Sequence, residues 1–441
     1  MSALRPGAAW HSPLTWPGYW LAGVYAACAV YAVTFGFLSS DSVHKLWGAM
    51  ATCGYVVAAI LALALRGRKS RLAADLPLAA SFLGALLIPL LVMAARNIGK
   101  PEVNVVVRSA YLLIHHGTPY ESTATLANTT DPNAYNPYLP VMSLFGLPRA
   151  VFHNGMLTDP RIWFGACFLA VFAWALFAGG GRDIWRWTIF VMGSPIVALE
   201  LAVGGTDVPM VAFLCLGFGL LAKGLANGSR PGTGPQEASG GRPLGWALIT
   251  AGVALGIAAG MKATAWPGLA VAIVLLVGRA GWRVAVQFAA VAVAVTAVCV
   301  GPFLVHPQGL VLNTIEFPLG LANIKSDAAS PLPGHLLSEA GQAGHTVAVA
   351  LLVLAGLAVT LVLLLRPPKT VPRAVFLLVW AMSAMFLLAP STRFGYFIYP
   401  GTLALWLVAV VAGQDAGIEP FARRGRTSPG NSTTTVVSRL Q

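Results

Sequence analysis

Residues 77–96 read PLAASFLGALLIPLLVMAAR, and shortly after them residues 101–116 read PEVNVVVRSAYLLIHH. The first run is apolar almost throughout and has the length a helix needs to cross the hydrocarbon core of a bilayer, about 20 residues. In the second, Val103, Val106, Val107, Ala110, Leu113 and Ile114 fall on one helical face. Asn104, Arg108 and His115 cluster opposite, beside Glu102, Ser109 and His116. A helix with so wide a polar arc lies along a membrane surface rather than through it. Pro101 suits its first turn, where the missing N–H costs nothing. A spanning helix followed by an interfacial one predicts an all-α chain embedded in a membrane, with polar chemistry held at one surface.

The rest of the chain extends that pattern. Of its 441 residues 57% are hydrophobic and 10% charged, with a mean hydropathy of +0.74. A soluble domain carries roughly 25% charged residues, so these charges cannot cover a water-facing surface. Apolar runs predict about twelve spans, at 19–38, 48–65, 77–96, 161–179, 186–203, 206–222, 245–260, 265–278, 284–304, 346–365, 374–390 and 396–413. The fold class expected is a polytopic integral membrane protein with interfacial helices in its first long outer loop. The first run is long enough to span and no cleavable signal pattern precedes it, so it is expected to be retained. All five cysteines (Cys28, Cys53, Cys167, Cys215 and Cys299) lie in apolar runs, which suits packing rather than a disulfide framework or zinc site.

The net charge of +13 fixes orientation. With both termini inside, 19 of the 28 basic residues fall on inner segments, against five of the fifteen acids. That leaves +14 inside and −1 outside, as the positive-inside rule requires. The basic balance therefore speaks for cytoplasmic termini in a cell membrane, not for nucleic acid. The domain limits expected are a cytoplasmic segment 1–18, a membrane domain 19–413 and a disordered basic tail 414–441 facing anionic lipid. The Gly/Ser/Pro-rich inner loop 223–244 reads as a flexible linker. Two outer segments, 97–160 and 305–345, are longer than the others and richer in His, Tyr, Pro and acidic residues.

Past the interfacial helix the first outer segment continues G-T-P-Y-E (117–121) and D-P-N-A-Y-N-P-Y-L-P (131–140), rigid turn formers around Tyr135 and Tyr138. The apolar stretch 141–148 is too short to span and is expected as a second surface or re-entrant helix. An acidic residue just past the outer end of an early span, an amphipathic helix ending in G-x-P-Y, and a Y-x-P-Y-x-P segment together resemble the GT-C superfamily of membrane glycosyltransferases. More narrowly they resemble the bacterial polyprenyl-phosphate-mannose-dependent mannosyltransferases of glycosyltransferase family 87. The similarity runs from about residue 77 to 413. It implies transfer of a sugar, mannose above all, from a polyprenyl-phosphate carrier to a lipid or glycan hydroxyl on the outer face. It implies no further cofactor, and membrane lipids rather than an obligate protein partner or nucleic acid. Where the family usually has Asp as its base this chain has Glu102, and the superfamily's second acid is Asn104, which argues against a tightly held metal.

That chemistry asks for a carboxylate to take the acceptor's proton, typically worth 10²–10⁴-fold. It also asks for cations to meet the charge developing on the leaving phosphate. A single base without a second catalytic carboxylate fits inversion. Glu102 is the candidate base, and otherwise a helix N-terminal acid complementing the dipole. Asp131 in D-P-N is the reserve, and otherwise an Asx turn. In L-E-L-A-V-G-G-T-D (199–207) the family's Gly-Asn-Asp-like turn is matched in part, with Thr206 for Asn. Asp207 is then a site acid or a helix N-cap. Glu200 lies at membrane depth, where ionisable groups serve function by default; it is a candidate sugar or acceptor contact. Lys262, in G-M-K-A-T-A-W-P-G, and Arg393, in P-S-T-R-F-G-Y-F-I-Y-P, are candidate donor-phosphate cations or interfacial anchors. His335 and Arg108 are further candidates for the phosphate. Tyr135, Tyr138 and His115 are candidate sugar or acceptor contacts, the tyrosines alternatively members of an aromatic belt. Adjacent His115 and His116 point different ways on a helix and make a poor metal pair. The competing class is a polytopic transporter or lipid-linked glycan flippase. It predicts symmetric halves and charges near the bilayer midplane in several helices, whereas the charges here gather at outer tips and loops.

Overall fold

The computed structural model describes residues 18–68, 70–228, 245–305, 307–318, 321–322, 324 and 327–424, of which 227–228 and 414–424 are described by their backbone alone. The N-terminal segment, most of the expected linker and the end of the tail lie outside the described residues. So do Arg5, Lys69, Arg230, Arg242, Arg426 and Arg439 of the charge pattern, and His306 and Lys325 of the second long loop.

The architecture is an all-α bundle. Its principal helices are α1 (Gly18–Leu38), α2 (Ser42–Ala64), α3 (Arg71–Ala95), α4 (Pro101–His116), α5 (Pro160–Gly179), α6 (Ile184–Met192), α7 (Pro195–Val203), α8 (Val208–Gly228), α9 (Trp246–Met261), α10 (Trp266–Ala280), α11 (Trp282–Val300), α12 (Gln342–Leu365), α13 (Val371–Leu388) and α14 (Ile398–Arg424). Among the described residues the only extended pairing is an isolated bridge, Ala329 to Thr392. Ten segments are long and apolar enough to cross a membrane. Of the other two expected spans, α6 and α7 form a pair bent by 61°, and α9 has only 16 residues. About 72% of the apolar window in α8 is buried, against 11% in α11 and in α12. So α8 is the axis of the bundle, and α11 and α12 present their Val and Leu side chains outward, as a lipid-facing helix must.

Backbone groups at membrane depth have no water to turn to, so every break needs a protein partner. Pro89 in α3 has no N–H for the Ala85 carbonyl four residues back, and the chain runs as a π-turn over Leu83–Leu87. The indole Nε1 of Trp47, fully buried on α2, donates to the Ala85 oxygen at 2.9 Å. Gly54 of α2 and Gly84 of α3 meet there so closely that a Cβ on either would overlap the other's backbone. The α6–α7 break follows the same rule. Pro195 has no N–H for the Val191 carbonyl; Ser194 donates to it instead, through its N–H at 3.1 Å and its Oγ at 2.6 Å, and Tyr55 OH donates to Gly193 O at 2.9 Å.

The interfacial helix α4 buries Val103, Val106 and Ala110 as its apolar face requires, but also Val105 and Ser109, while Ile114 stays 46% exposed. The reason is tertiary. The segment 132–146 folds back over α4 and covers a second face, with Gly146 so near Val106 O that no side chain fits. The stretch expected as a second surface or re-entrant helix is a 3₁₀ turn, Pro140–Gly146, running into a short helix, Leu147–Phe152. Its entry is hydrogen-bonded to the end of α9 through Leu139 N–H and Met261 O at 2.8 Å.

Trp47→Phe is expected to lower the stability of the detergent-solubilised protein by about 1–3 kcal/mol, since it strands a buried carbonyl. Adding Pro89→Ala restores an N–H to α3 and is expected to recover part of that loss. An unchanged melting temperature for Trp47→Phe would remove the indole from this role.

Candidate active site

Four helix breaks meet at one end of the bundle. They are the turn before α4, the α7–α8 turn, the α9–α10 turn and the α13–α14 turn. Together with the 132–138 segment and parts of 317–328 they enclose a cavity of about 380 Å³. Each break places charges on its rim: Lys100 and Glu102, then Glu200 and Asp207, then Lys262, then Arg393. Asp327 adds a fourth acid.

The local chain geometry explains why these residues face inward. Gly204 closes α7 with φ of 115°, a left-handed conformation that L side chains resist, and Gly204 N–H and Gly205 N–H both return to Glu200 O. The Glu200 carboxylate then lies between Gly205 and Gly395, and a Cβ at either position would run into it. Lys262 leaves α9 in an extended conformation and projects across the cavity.

A buried charge cluster holds two of these turns together. Asp159 caps α5 by accepting from Arg161 N–H at 3.0 Å, and it takes a bidentate contact from the Arg161 guanidinium, with Nε and Nη2 both at 2.9 Å. Arg161 Nη1 donates onward to Ile98 O at 2.7 Å and Ala202 O at 2.9 Å. Arg149 completes the set through Asp159 Oδ2 at 2.9 Å and Asn97 Oδ1 at 3.0 Å. Lys100 N–H to Val203 O at 2.8 Å closes the contact between the segment leading to Glu102 and the end of α7. Burial alone pushes the Asp159 carboxyl up, but the hydrogen bonds and charges of Arg161 and Arg149 outweigh it, and its pKa is lowered.

Within the cavity the charges are paired unequally. Glu102 Oε1 accepts from Arg393 Nη1, while Oε2 is buried with no hydrogen-bond partner. Asp207 Oδ1 accepts from Lys262 Nζ at 2.7 Å and from Tyr399 OH at 2.6 Å, and that hydroxyl also meets Thr264 Oγ1 at 2.7 Å. The Lys262 ammonium lies 5.0 Å from the Tyr396 ring and 5.5 Å from the Tyr138 ring. Among the described residues no set of three His, Cys, Asp or Glu side chains is placed to share a metal ion.

Of the residues singled out from sequence, Glu102, Glu200, Asp207, Lys262, Arg393, Tyr135 and Tyr138 all line this cavity. Tyr135 stacks on Phe317 with centroids 4.5 Å apart. The remaining four stand outside the lining. Asp131 is exposed and caps its own turn, accepting from Asn133 N–H at 2.9 Å. Arg108 donates to Asn133 O at 2.6 Å and Ala134 O at 2.9 Å and pairs with Glu121, so it pins the 132–138 segment to α4. His335 shares a hydrogen bond with Pro390 O at 2.9 Å and pairs with Glu339. His115 is exposed and packs on Tyr111 at 4.1 Å. Sequence reasoning passed over Lys100, Tyr396 and Tyr399 as site residues, and the Arg149–Asp159–Arg161 cluster entirely. Lys100 was one of only nine cations on the side expected to be outer, and the tyrosines stand in the same F-G-Y-F-I-Y motif as Arg393.

A polytopic helical bundle that spends its few loop-end charges on one polar cavity has the form of a membrane enzyme working at a surface. Residues 136–390 match glycosyltransferase family 87, more than half of the chain, and the protein belongs to that family. The match takes in Tyr138, Glu200, Asp207 and Lys262; Glu102 and Arg393 lie beyond its two ends. No curated protein matches the chain.

Asp159→Asn is expected to cost about 3–5 kcal/mol, because two buried guanidinium groups lose their counter-ion. Since the native pKa of Asp159 is depressed, its stabilisation is present above the unfolded carboxylate pKa and lost as pH falls through the lower native one. The variant should therefore show a flatter stability profile than the parent in acid-melting curves, and equal profiles would count against the pairing.

Proposed function

We propose that this glycosyltransferase moves a sugar from a polyprenyl-phosphate carrier to a lipid or glycan hydroxyl at the outer face of the cell membrane, with inversion. Glu102 serves as the general base. The observation that supports this best is the state of that carboxylate on a residue lining the cavity: one oxygen is held by Arg393, and the other is buried and has no hydrogen-bond partner. A buried acceptor oxygen without a donor is costly unless a ligand completes it, and an attacking hydroxyl is such a donor. Arg393 holds the carboxylate in place. As the acceptor oxygen bonds to the anomeric carbon, its proton passes to Glu102. The bond from that carbon to the phosphate oxygen breaks, and the lipid phosphate leaves with the added negative charge. Asp207, tied to Lys262 and Tyr399, is less available for this role.

Glu200 has open lone pairs and lies against two glycines that let substrate approach closely, which suits contacts to sugar hydroxyls. Tyr135 and Tyr138 offer ring faces for a pyranose. Mannose as the sugar follows from the family likeness and is proposed on that ground alone. The charge pattern supports cytoplasmic termini and an outward-facing cavity. A transporter is less well served, because charged side chains converge on one end instead of marking a path across the bundle.

Glu102→Gln keeps the shape and removes the base, so transfer from a radiolabelled polyprenyl-phosphate sugar is expected to fall by about 10²–10⁴-fold. Glu200→Gln should act more on the KM for the sugar donor. Full activity in Glu102→Gln would end the base assignment.

A further inference from the structure

Among the described residues three cations line the cavity, and they are not equivalent. Lys262 already gives a hydrogen bond to Asp207 at 2.7 Å and sits between two tyrosine rings. Arg393 already holds Glu102. A cation that carries a carboxylate offers little net charge to an incoming anion, which must share or displace the partner it finds. Lys100 differs from both. Among the described residues its side chain makes no hydrogen bond and no ion pair, although it is half-buried and faces the cavity. Lys100 and Glu200 both line the cavity, yet the two are not in ion-pair contact. An ammonium and a carboxylate held apart across a cavity leave room for a polar group between them.

The position of Lys100 is rigid. Its own N–H is fixed to Val203 O at 2.8 Å, and the preceding turn is held by Arg161 on Ile98 O at 2.7 Å. Little ordering of the backbone is needed when an anion arrives. The N-terminal end of α4, which begins at the next residue, adds a field of the same sign.

We propose that Lys100 is the cation that receives a substrate phosphate oxygen in this cavity, with Glu200 taking sugar hydroxyls beside it. The proposal rests on the lipid-phosphate-sugar reading above. The same contact serves the phosphate of the donor's carrier or an anionic headgroup on the acceptor, and the two are separable by kinetics.

The test uses the full-length protein in lipid nanodiscs, as the parent, Lys100→Gln and Lys100→Arg, with donor and acceptor varied in turn. Lys100→Gln is expected to raise one KM by about tenfold or more, the loss of one charge-assisted hydrogen bond, with kcat changed far less. A raised donor KM assigns the phosphate to the carrier, and a raised acceptor KM assigns it to the acceptor. Lys100→Arg keeps the charge and should restore that KM to within a few-fold. Two unaltered KM values overturn the proposal, as does Lys100→Arg being as impaired as Lys100→Gln. Binding of undecaprenyl phosphate, read without turnover, separates the two readings. Weakened binding in Lys100→Gln in a protein that consumes no polyprenyl-phosphate sugar would sink the reaction and keep Lys100. Turnover with undiminished binding and unaltered KM values would do the reverse.

Discussion

The cavity depends on a guanidinium that has no access to water. Arg161 is 1% exposed and Asp159 is fully buried, in a region where an uncompensated charge costs several kcal/mol. The charge is tolerated because its donors are used: two on Asp159, and a third shared by the carbonyls of Ile98 and Ala202. Those carbonyls belong to the two turns that carry Glu102 on one side and Glu200 and Asp207 on the other. Acids about a hundred residues apart in the chain are thereby held as one block. Arg149 adds the Asn97 side chain, where the backbone adopts a left-handed φ of 52° that Asn tolerates better than most non-glycine residues.

The same economy of donors explains how the bundle tolerates so many breaks. A proline at membrane depth has no N–H for the carbonyl four residues back, and here Trp47 donates to Ala85 O and Ser194, by N–H and Oγ, to Val191 O. The breaks are where the polar residues gather. A continuous helix turns its polar groups in on itself, whereas a broken one frees side chains and backbone to face a shared space. The α6–α7 bend brings Glu200 to the cavity, and the break after α9 does the same for Lys262. Once there, two of the three cations among the described lining residues are paired with acids, Lys262 with Asp207 and Arg393 with Glu102, and Lys100 is not.

Much of this was legible beforehand. The span positions followed from apolar run length, and the loop-end location of the chemistry followed from the scarcity of charge elsewhere. Glu102, Glu200, Asp207, Lys262 and Arg393 stood out because an ionisable residue at a helix end in such an apolar chain needs a reason to be there. Asp131, Arg108 and His335 stood out for the same reason and stand outside the cavity lining. Each satisfies a nearby backbone group or acid, and a loop residue's partner is set by how the loop folds back. The second buried face of α4 was hidden likewise, because a helical wheel reports which residues are apolar and not what will cover the rest.

By itself the sequence determined a membrane-embedded helical chain, its approximate spans and the end at which its polar residues collect. These follow from hydropathy and charge, which are additive along the chain and need no knowledge of contacts. Only the tertiary structure decided which cation belongs to which acid. That assignment turns on angstroms between residues far apart in sequence, and it separates the occupied Lys262 and Arg393 from the open Lys100, and the engaged Asp207 from the free oxygen of Glu102.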